Sequence, residues 1–414
     1  MRRGASTVTI KGAAAASSLL STAVIIRLYG LELFGVFSFA LLTVRLLGTF
    51  SSFGLESLLL VNLLKRAGRQ HTALSLVSAA CIGYAHIISG AITILTLVVS
   101  SMFYILGYST FFKSIIILLP IILLQTTTGL QASILRSRRC DFSAQLVLLG
   151  LPSLVPASIL IVLSFIFNQQ PEFLPEFSFV AGSVIGCLVG FLLTGVHPGS
   201  NGSFAFTSIL KAKFQILRRS AAIHLANIAN YSADFYVTIF VSWFGSFEMV
   251  GALRVFRQIG SSFQMLSNAI EIPFSTELAH ANFTQNRMKV FRLLRLSQLI
   301  IGSIGFGTLA IIGLFYGELF AFLDVNQTGL VGPLFCYLLF VALSMTSGAA
   351  SGALVILNCP KELARSSALS LLASALITTV SIPFLGLYGA SLALGAATLT
   401  RATLNYLSVR RVTN

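Results

Sequence analysis

The chain has 414 residues, 56% hydrophobic and only 9% charged, with a mean hydropathy of +0.91. A soluble domain of this size carries about 25% charged residues, so a water-facing surface is excluded and the missing solvent is lipid. The net charge of +15 would suit nucleic acid, but the basic residues stand between apolar runs rather than on one soluble patch, so nucleic-acid binding is excluded as well.

Twelve apolar runs of spanning length follow one another near residues 12–28, 34–61, 73–99, 112–135, 144–167, 177–195, 220–243, 249–276, 297–322, 332–357, 366–385 and 389–408. The first, preceded by Arg2-Arg3, imitates a signal peptide. It ends in Arg27-Leu28-Tyr29 rather than small residues, and a second run begins at once, so no cleavage is expected. The gaps leave no room for a soluble domain. The expected fold is therefore an all-α integral membrane protein of about twelve transmembrane helices, in two six-helix bundles around a central cavity.

The connections alternate in charge. One set holds Arg2, Arg3 and Lys11; Lys65, Arg66 and Arg69; Arg136, Arg138 and Arg139; Lys211, Lys213, Arg218 and Arg219; Arg287, Lys289, Arg292 and Arg295; Lys361 and Arg365; and Arg410 and Arg411, together 21 of the 27 basic residues. The alternate set holds Glu32, Glu172, Glu176, Glu248 and Asp324, with Lys113 at one margin. Cytoplasmic loops collect Lys and Arg, so an even number of spans with both termini in the cytoplasm is expected.

The widest polar stretch follows the sixth run and includes His197-Pro198-Gly199-Ser200-Asn201-Gly202-Ser203. It reads as a linker. The expected division is an N-terminal bundle of residues 1–195, a cytoplasmic linker of 196–215 and a C-terminal bundle of 216–414. Glu32-Leu33-Phe34-Gly35 after span 1 is echoed by Glu248-Met249-Val250-Gly251 after span 7, and Gly30 and Gly245 precede them. Six plus six spans with an internal repeat is a common transporter plan.

Polar residues inside the spans are costly and usually face a cavity or a partner. In span 8, Arg254, Arg257, Ser261, Gln264, Asn268 and Glu271 are separated by steps of three and four, which keeps them on one helix face. In span 7, His224, Asn227, Tyr231, Asp234 and Thr238 do the same. Span 2 carries Ser38, Arg45, Thr49, Ser52 and Glu56, and span 1 carries Ser17, Ser21 and Arg27. Spans 9, 11 and 12 read as almost bare, apart from Arg401. One reading is a hydrated cavity lined by spans 1, 2, 7 and 8. The other is a set of buried pairs, such as Arg45 with Glu56 or Asp234 with Arg257, that lock helices together.

Under the cavity reading, arginines outnumber acids, and an anion is the expected cargo. Arg27, Arg45, Arg254 and Arg257 are the candidate anion ligands, because a guanidinium stays charged and matches phosphate oxygens with a planar fork. Gln264, Asn268, Asn227 and Tyr231 are the candidate polar ligands. Asp234 and His224 are the candidates for ion coupling. The cysteines, Cys81, Cys140, Cys187, Cys336 and Cys359, are widely spaced and form no CxxC pair, so neither a metal site nor a cofactor is expected. No GxxxxGK[ST] segment occurs, which leaves nucleotide hydrolysis without a sequence basis.

The chain resembles the polysaccharide (O-unit, Wzx-type) flippases of the multidrug/oligosaccharidyl-lipid/polysaccharide exporter superfamily. The resemblance covers most of its length. It rests on the turn from Tyr29-Gly30 to Gly35, on Phe53-Gly54-Leu55, on Leu135-Arg136-Ser137-Arg138-Arg139 with its later counterpart Leu357-Asn358-Cys359-Pro360-Lys361, and on Leu387-Tyr388-Gly389-Ala390. It implies a multi-pass protein of the bacterial inner membrane, not an enzyme. Such a protein moves an undecaprenyl-diphosphate-linked oligosaccharide, for O-antigen or another surface polysaccharide, from the cytoplasmic to the periplasmic leaflet by alternating access. The implied partners are the lipid bilayer, the lipid-linked glycan, and the polysaccharide polymerase and glycosyltransferases of the same route. The alternative is an ion-coupled secondary antiporter of small molecules or drugs. A membrane enzyme is disfavoured, because the outer loops are too short to hold a catalytic site.

Overall fold

The structure, a computed structural model, describes residues 2–56, 59, 71–105, 110–138, 140–166, 171–195, 206–283, 287–326, 329–357 and 359–413. The end of the second expected span (57, 58, 60 and 61) and the linker residues 196–205 lie outside them. All described secondary structure is helical: α1 (Arg2–Ser52), α2 (His71–Ile105), α3 (Thr110–Leu118), α4 (Pro120–Ser137), α5 (Asp141–Gln145), α6 (Leu151–Ile166), α7 (Leu174–Thr194), α8 (Phe206–Phe244), α9 (Phe247–Phe283), α10 (Arg287–Leu323), α11 (Val331–Met345), α12 (Ala350–Ile356), α13 (Pro360–Leu385) and α14 (Leu387–Thr413).

These helices reproduce the twelve apolar runs. α1 supplies two of them, because Gly30 breaks it with φ 82° and ψ 167°, a conformation open to glycine and strained for other residues. α3 and α4 share one run, with Pro120 opening α4. α5 and α6 share another, joined by the π-helical turn Leu146–Gly150. α11 and α12 form the tenth, interrupted by a turn at 346–349. The chain is a multi-pass, all-α membrane protein.

Among the described residues, seven helical stretches are long and apolar enough to cross a bilayer on their own; α8, α9 and α14 are not among them. Those three carry Asp234, Arg254, Arg257 and Arg401. Charge near the middle of each lowers its hydropathy.

By packing, the chain divides into two compact units. One comprises Ala5–Ser21 and Phe39–His224; the other comprises Met1–Gly4, Thr22–Ser38 and Leu225–Asn414. In the first, α4, α5, the π-helical turn and α7 share a core that includes Leu135, Ala144, Val147 and Val189. Arg138 Nη1 donates to the Thr194 carbonyl at 2.8 Å and ties the end of α4 to the end of α7.

In the second unit, α13 and α14 form a tight antiparallel hairpin. Ser366 Oγ meets Asn405 Oδ1 at 2.5 Å, and Ser381 Oγ donates to the Gly389 carbonyl at 3.1 Å. The two glycine turns read from the sequence pack on each other reciprocally. A methyl group at Gly35 would strike the Phe247 carbonyl, and one at Gly251 would strike the Leu31 carbonyl. Leu31 and Phe247 each stand four residues before the glycine of their own turn, so the contact has the self-complementary form of a two-fold pair.

Candidate functional site

The second unit concentrates charge at one point. Asp234 on α8 is buried, and its Oδ2 accepts from Arg254 Nη1 at 3.1 Å and from Arg257 Nη2 at 2.9 Å. The two arginines sit three residues apart on α9, which turns both toward α8. Asp234 therefore holds two guanidinium groups with one oxygen. Its other oxygen, Oδ1, is buried without a hydrogen-bond partner, as are Nε and Nη2 of Arg254. Arg254 thus keeps one whole edge of its fork uncommitted, the edge that matches a carboxylate or phosphate.

Tyr337 on α11 completes the cluster. Its ring is 1% exposed and fits because Gly260 has no side chain; a methyl there would lie 2.6 Å from Tyr337 Cε1. Tyr337 lies within electrostatic reach of Arg257, and Arg401 on α14 lies within electrostatic reach of both. Two guanidinium groups thus hold one aspartate, and a third lies within electrostatic reach of Arg257.

Beside this cluster lies a cavity of about 280 Å³, walled by α8, α9, α11, α12, α13 and α14. Asn227, Asn230, Gln264, Glu271, Ser367 and Arg401 border it. The break in the tenth span makes part of the wall. Gly348 (φ 62°) turns the chain there, and the Ala349 amide donates to Ser297 Oγ at 3.3 Å. Glu271 Oε1 accepts from the freed Gly352 amide at 2.7 Å, so this carboxylate is built into the wall.

The structure brings Arg254, Arg257 and Asp234 into one cluster, and sets Asn227 and Gln264 on the cavity beside it. Tyr231 is exposed on α8. Arg27, also in the second unit, is exposed, with its guanidinium 5.7 Å from the Phe322 ring centroid. The Asn268 side chain lies outside the described residues. Arg45 and His224 belong to the first unit. Arg45 is exposed. His224 is buried against the Phe53 ring, with centroids 4.6 Å apart, and its Nδ1 has no hydrogen-bond partner.

Three features escape the hydropathy reading. Span 11 is not bare: Ser366, Ser370, Ser374 and Thr378 form a buried ladder on α13, and Ser367 stands beside it. Their four-residue spacing was present in the sequence, but serine and threonine scarcely alter hydropathy. Asn230 follows Asn227 by three residues and shares its side of α8. Tyr337 carried no sequence signal, because its role depends on a glycine from another helix.

Solved structures share this fold. A multidrug resistance MATE family transporter of the MOP superfamily, in an inward-facing conformation, matches with a TM-score of 0.73 at 16% identity, over 98% of this chain and 94% of its own. A MOP superfamily transporter from Pyrococcus furiosus Vc1, with a binding pocket of reverse polarity, matches with a TM-score of 0.72 at 16% identity, over 99% and 95%. The lipid II flippase MurJ, in an inward closed conformation, matches with a TM-score of 0.70 at 16% identity, over 96% and 86%. The chain has the fold of MOP-superfamily transporters. No family model matches it, and neither does any curated protein.

Proposed function

We propose that this protein is a flippase. It carries an undecaprenyl-diphosphate-linked oligosaccharide, an O-antigen or other surface-polysaccharide unit, from the cytoplasmic to the periplasmic leaflet of a bacterial inner membrane. The observation that supports this reading is that Arg254 and Arg257 share the single carboxylate of Asp234, which leaves one guanidinium charge in excess. Each charge placed mid-span costs about 2.5–3.5 kcal/mol on insertion scales, and an excess of guanidinium groups is offset when an anion arrives. A diphosphate fits a fork that keeps its charge at any physiological pH. That a lipid II flippase shares the fold supports the same reading.

The motion is alternating access between two halves of the chain, with both termini cytoplasmic. Asp234 holds the arginines in place, and His224 is the remaining candidate for ion coupling. The polymerase and glycosyltransferases of the same route act after and before transport. The MATE likeness suggests a second reading, an ion-coupled antiporter of small molecules. The engagement of Asp234 by two arginines favours the anion carrier, since a cation exporter needs a carboxylate left open.

The test is complementation of a strain lacking its own O-unit flippase, with surface glycan as the readout. Arg254→Ala and Arg45→Ala are each expected to lose export while protein level stays near wild type. Normal export in both variants overturns the reading.

A further inference from the structure

We propose that one end of the α13–α14 hairpin holds the headgroup of an anionic phospholipid, a lipid of the surrounding bilayer rather than a cargo. Two spaces open between these helices. Ser367, Arg401 and Asn405 border the cavity already described. A separate cleft of about 100 Å³ lies nearer the hairpin's open end. Ser366 borders the cleft, and its hydrogen bond to Asn405 partitions the two spaces.

The cleft is a seam between two matched stripes. From α13 it takes Glu362, Arg365, Ser366 and Leu369. From α14 it takes Leu404, Leu407, Ser408 and Arg411. Each set repeats at i, i+3, i+4 and i+7, the spacing of one helix face. Its volume is roughly three times the liquid share of a water molecule, which suits a phosphate group.

Charge selects the occupant. Arg365 and Arg411 are exposed, and among the described residues neither takes part in an ion pair. Glu362 is already engaged, since Ser408 Oγ donates to its Oε2 at 3.2 Å. Two guanidinium groups against one carboxylate leave a single positive charge, the match for one phosphodiester. Lys361 and Arg410 stand nearby in the sequence and disfavour the ammonium of a zwitterionic headgroup.

Depth and surroundings point to a lipid rather than a free phosphate. Arg365 lies in the second turn of α13 and Arg411 in the last turn of α14, where a spanning helix leaves the hydrocarbon. In the orientation proposed above this is the cytoplasmic end, and basic pockets between transmembrane helices on that side bind anionic headgroups. Leu369, Leu404 and Leu407 make the cleft half apolar. From Leu369 an exposed row continues along α13 through Leu372, Leu376 and Val380, at steps of three and four that share a face. An acyl chain joined to a phosphate in the cleft has this row to follow, and a free phosphate uses none of it.

The experiment titrates the purified full chain with phosphatidylglycerol or phosphatidylethanolamine of the same acyl chains, read by native mass spectrometry. Wild type is expected to bind phosphatidylglycerol about tenfold more tightly, the order that two basic residues near a membrane surface provide. The double variant Arg365→Gln, Arg411→Gln is expected to lose that preference with no loss of folded protein, since both side chains are exposed. The control Arg292→Gln, Arg295→Gln removes the same charge from exposed positions on α10 and is expected to keep it. Inorganic phosphate in large excess is expected to displace none of the lipid. Equal binding of the two lipids by wild type overturns the proposal. A preference that survives in the double variant, or falls as far in the control, belongs to the positive surface at large and overturns the site. Displacement by phosphate reassigns the cleft to a free anion and overturns the lipid. Cargo transport does not enter the readout, so none of these outcomes depends on the carrier reading.

Discussion

Polar side chains inside the two compact units are used differently. In the first unit they are pressed against glycines. A methyl group at Gly129 would strike the Glu56 carboxylate, one at Gly190 the Gln131 amide, and one at Gly48 would come within 3.0 Å of the Gln125 oxygen. Ser51 and Thr126 share a hydrogen bond of 2.7 Å, and Ser114 donates to Glu176 at 2.7 Å. In the second unit some polar groups pack in the same way, as Tyr337 does against Gly260, but others meet at Asp234 or border an open space. The polar stripes of spans 2 and 8 look alike in sequence. What separates packing from lining is the partner helix: a glycine opposite a polar group closes the space around it, and a broken helix opposite leaves one open.

The comparison breaks most visibly at its glycines. Gly129→Val forces the Glu56 carboxylate out of its seat. Overpacking of this kind costs about 1–3 kcal/mol, before any penalty for the displaced charge, so detergent-extracted folded protein should fall about tenfold on size-exclusion chromatography. Asn230→Leu, on the cavity wall, should leave that yield near wild type. Equal yields from the two variants would erase the distinction between the units.

An effect of similar size, on transport rather than on yield, is expected at the charge cluster. Asp234→Asn keeps the shape of the side chain but weakens its hold on two guanidinium groups, and hydrogen bonds to charged groups contribute about 1.5–3 kcal/mol each. Export should drop about tenfold with little loss of protein. Unchanged export would mean that Asp234 does not position the arginines.

The smallest effect is one of access. Asn227 is exposed and Val255 is 1% exposed. Asn227→Cys should react with a water-soluble thiol reagent several times faster than Val255→Cys, with neither change disturbing the fold. Equal rates would place the α8 face in a dry environment.

Much of this was legible in the sequence, because a bilayer leaves few solutions. Every spanning backbone must satisfy its own hydrogen bonds, so the twelve apolar runs had to become helices, and they did. The stripe from Arg254 to Glu271 was legible from its spacing, and the pairing of Asp234 with Arg257 was one of the alternatives it raised. The sequence could not tell which polar residues meet empty space. Glu56 and Glu271 stand near corresponding ends of spans 2 and 8, yet Glu56 is matched by a distant glycine and Glu271 by an amide freed at a helix break. The serine ladder of α13 was missed for a related reason: hydroxyl groups barely register in hydropathy, and their burial depends on the helices packed against them.

The central claim is that an excess of guanidinium groups selects an anionic lipid head. Its most direct test is transport by the reconstituted protein, in liposomes holding either a short-chain isoprenyl diphosphate glycoside or the same lipid with a quaternary ammonium head. The account predicts translocation of the diphosphate lipid, its loss in Arg254→Ala, and no movement of the ammonium lipid in either protein. Translocation of the ammonium lipid, undiminished in Arg254→Ala, would contradict it.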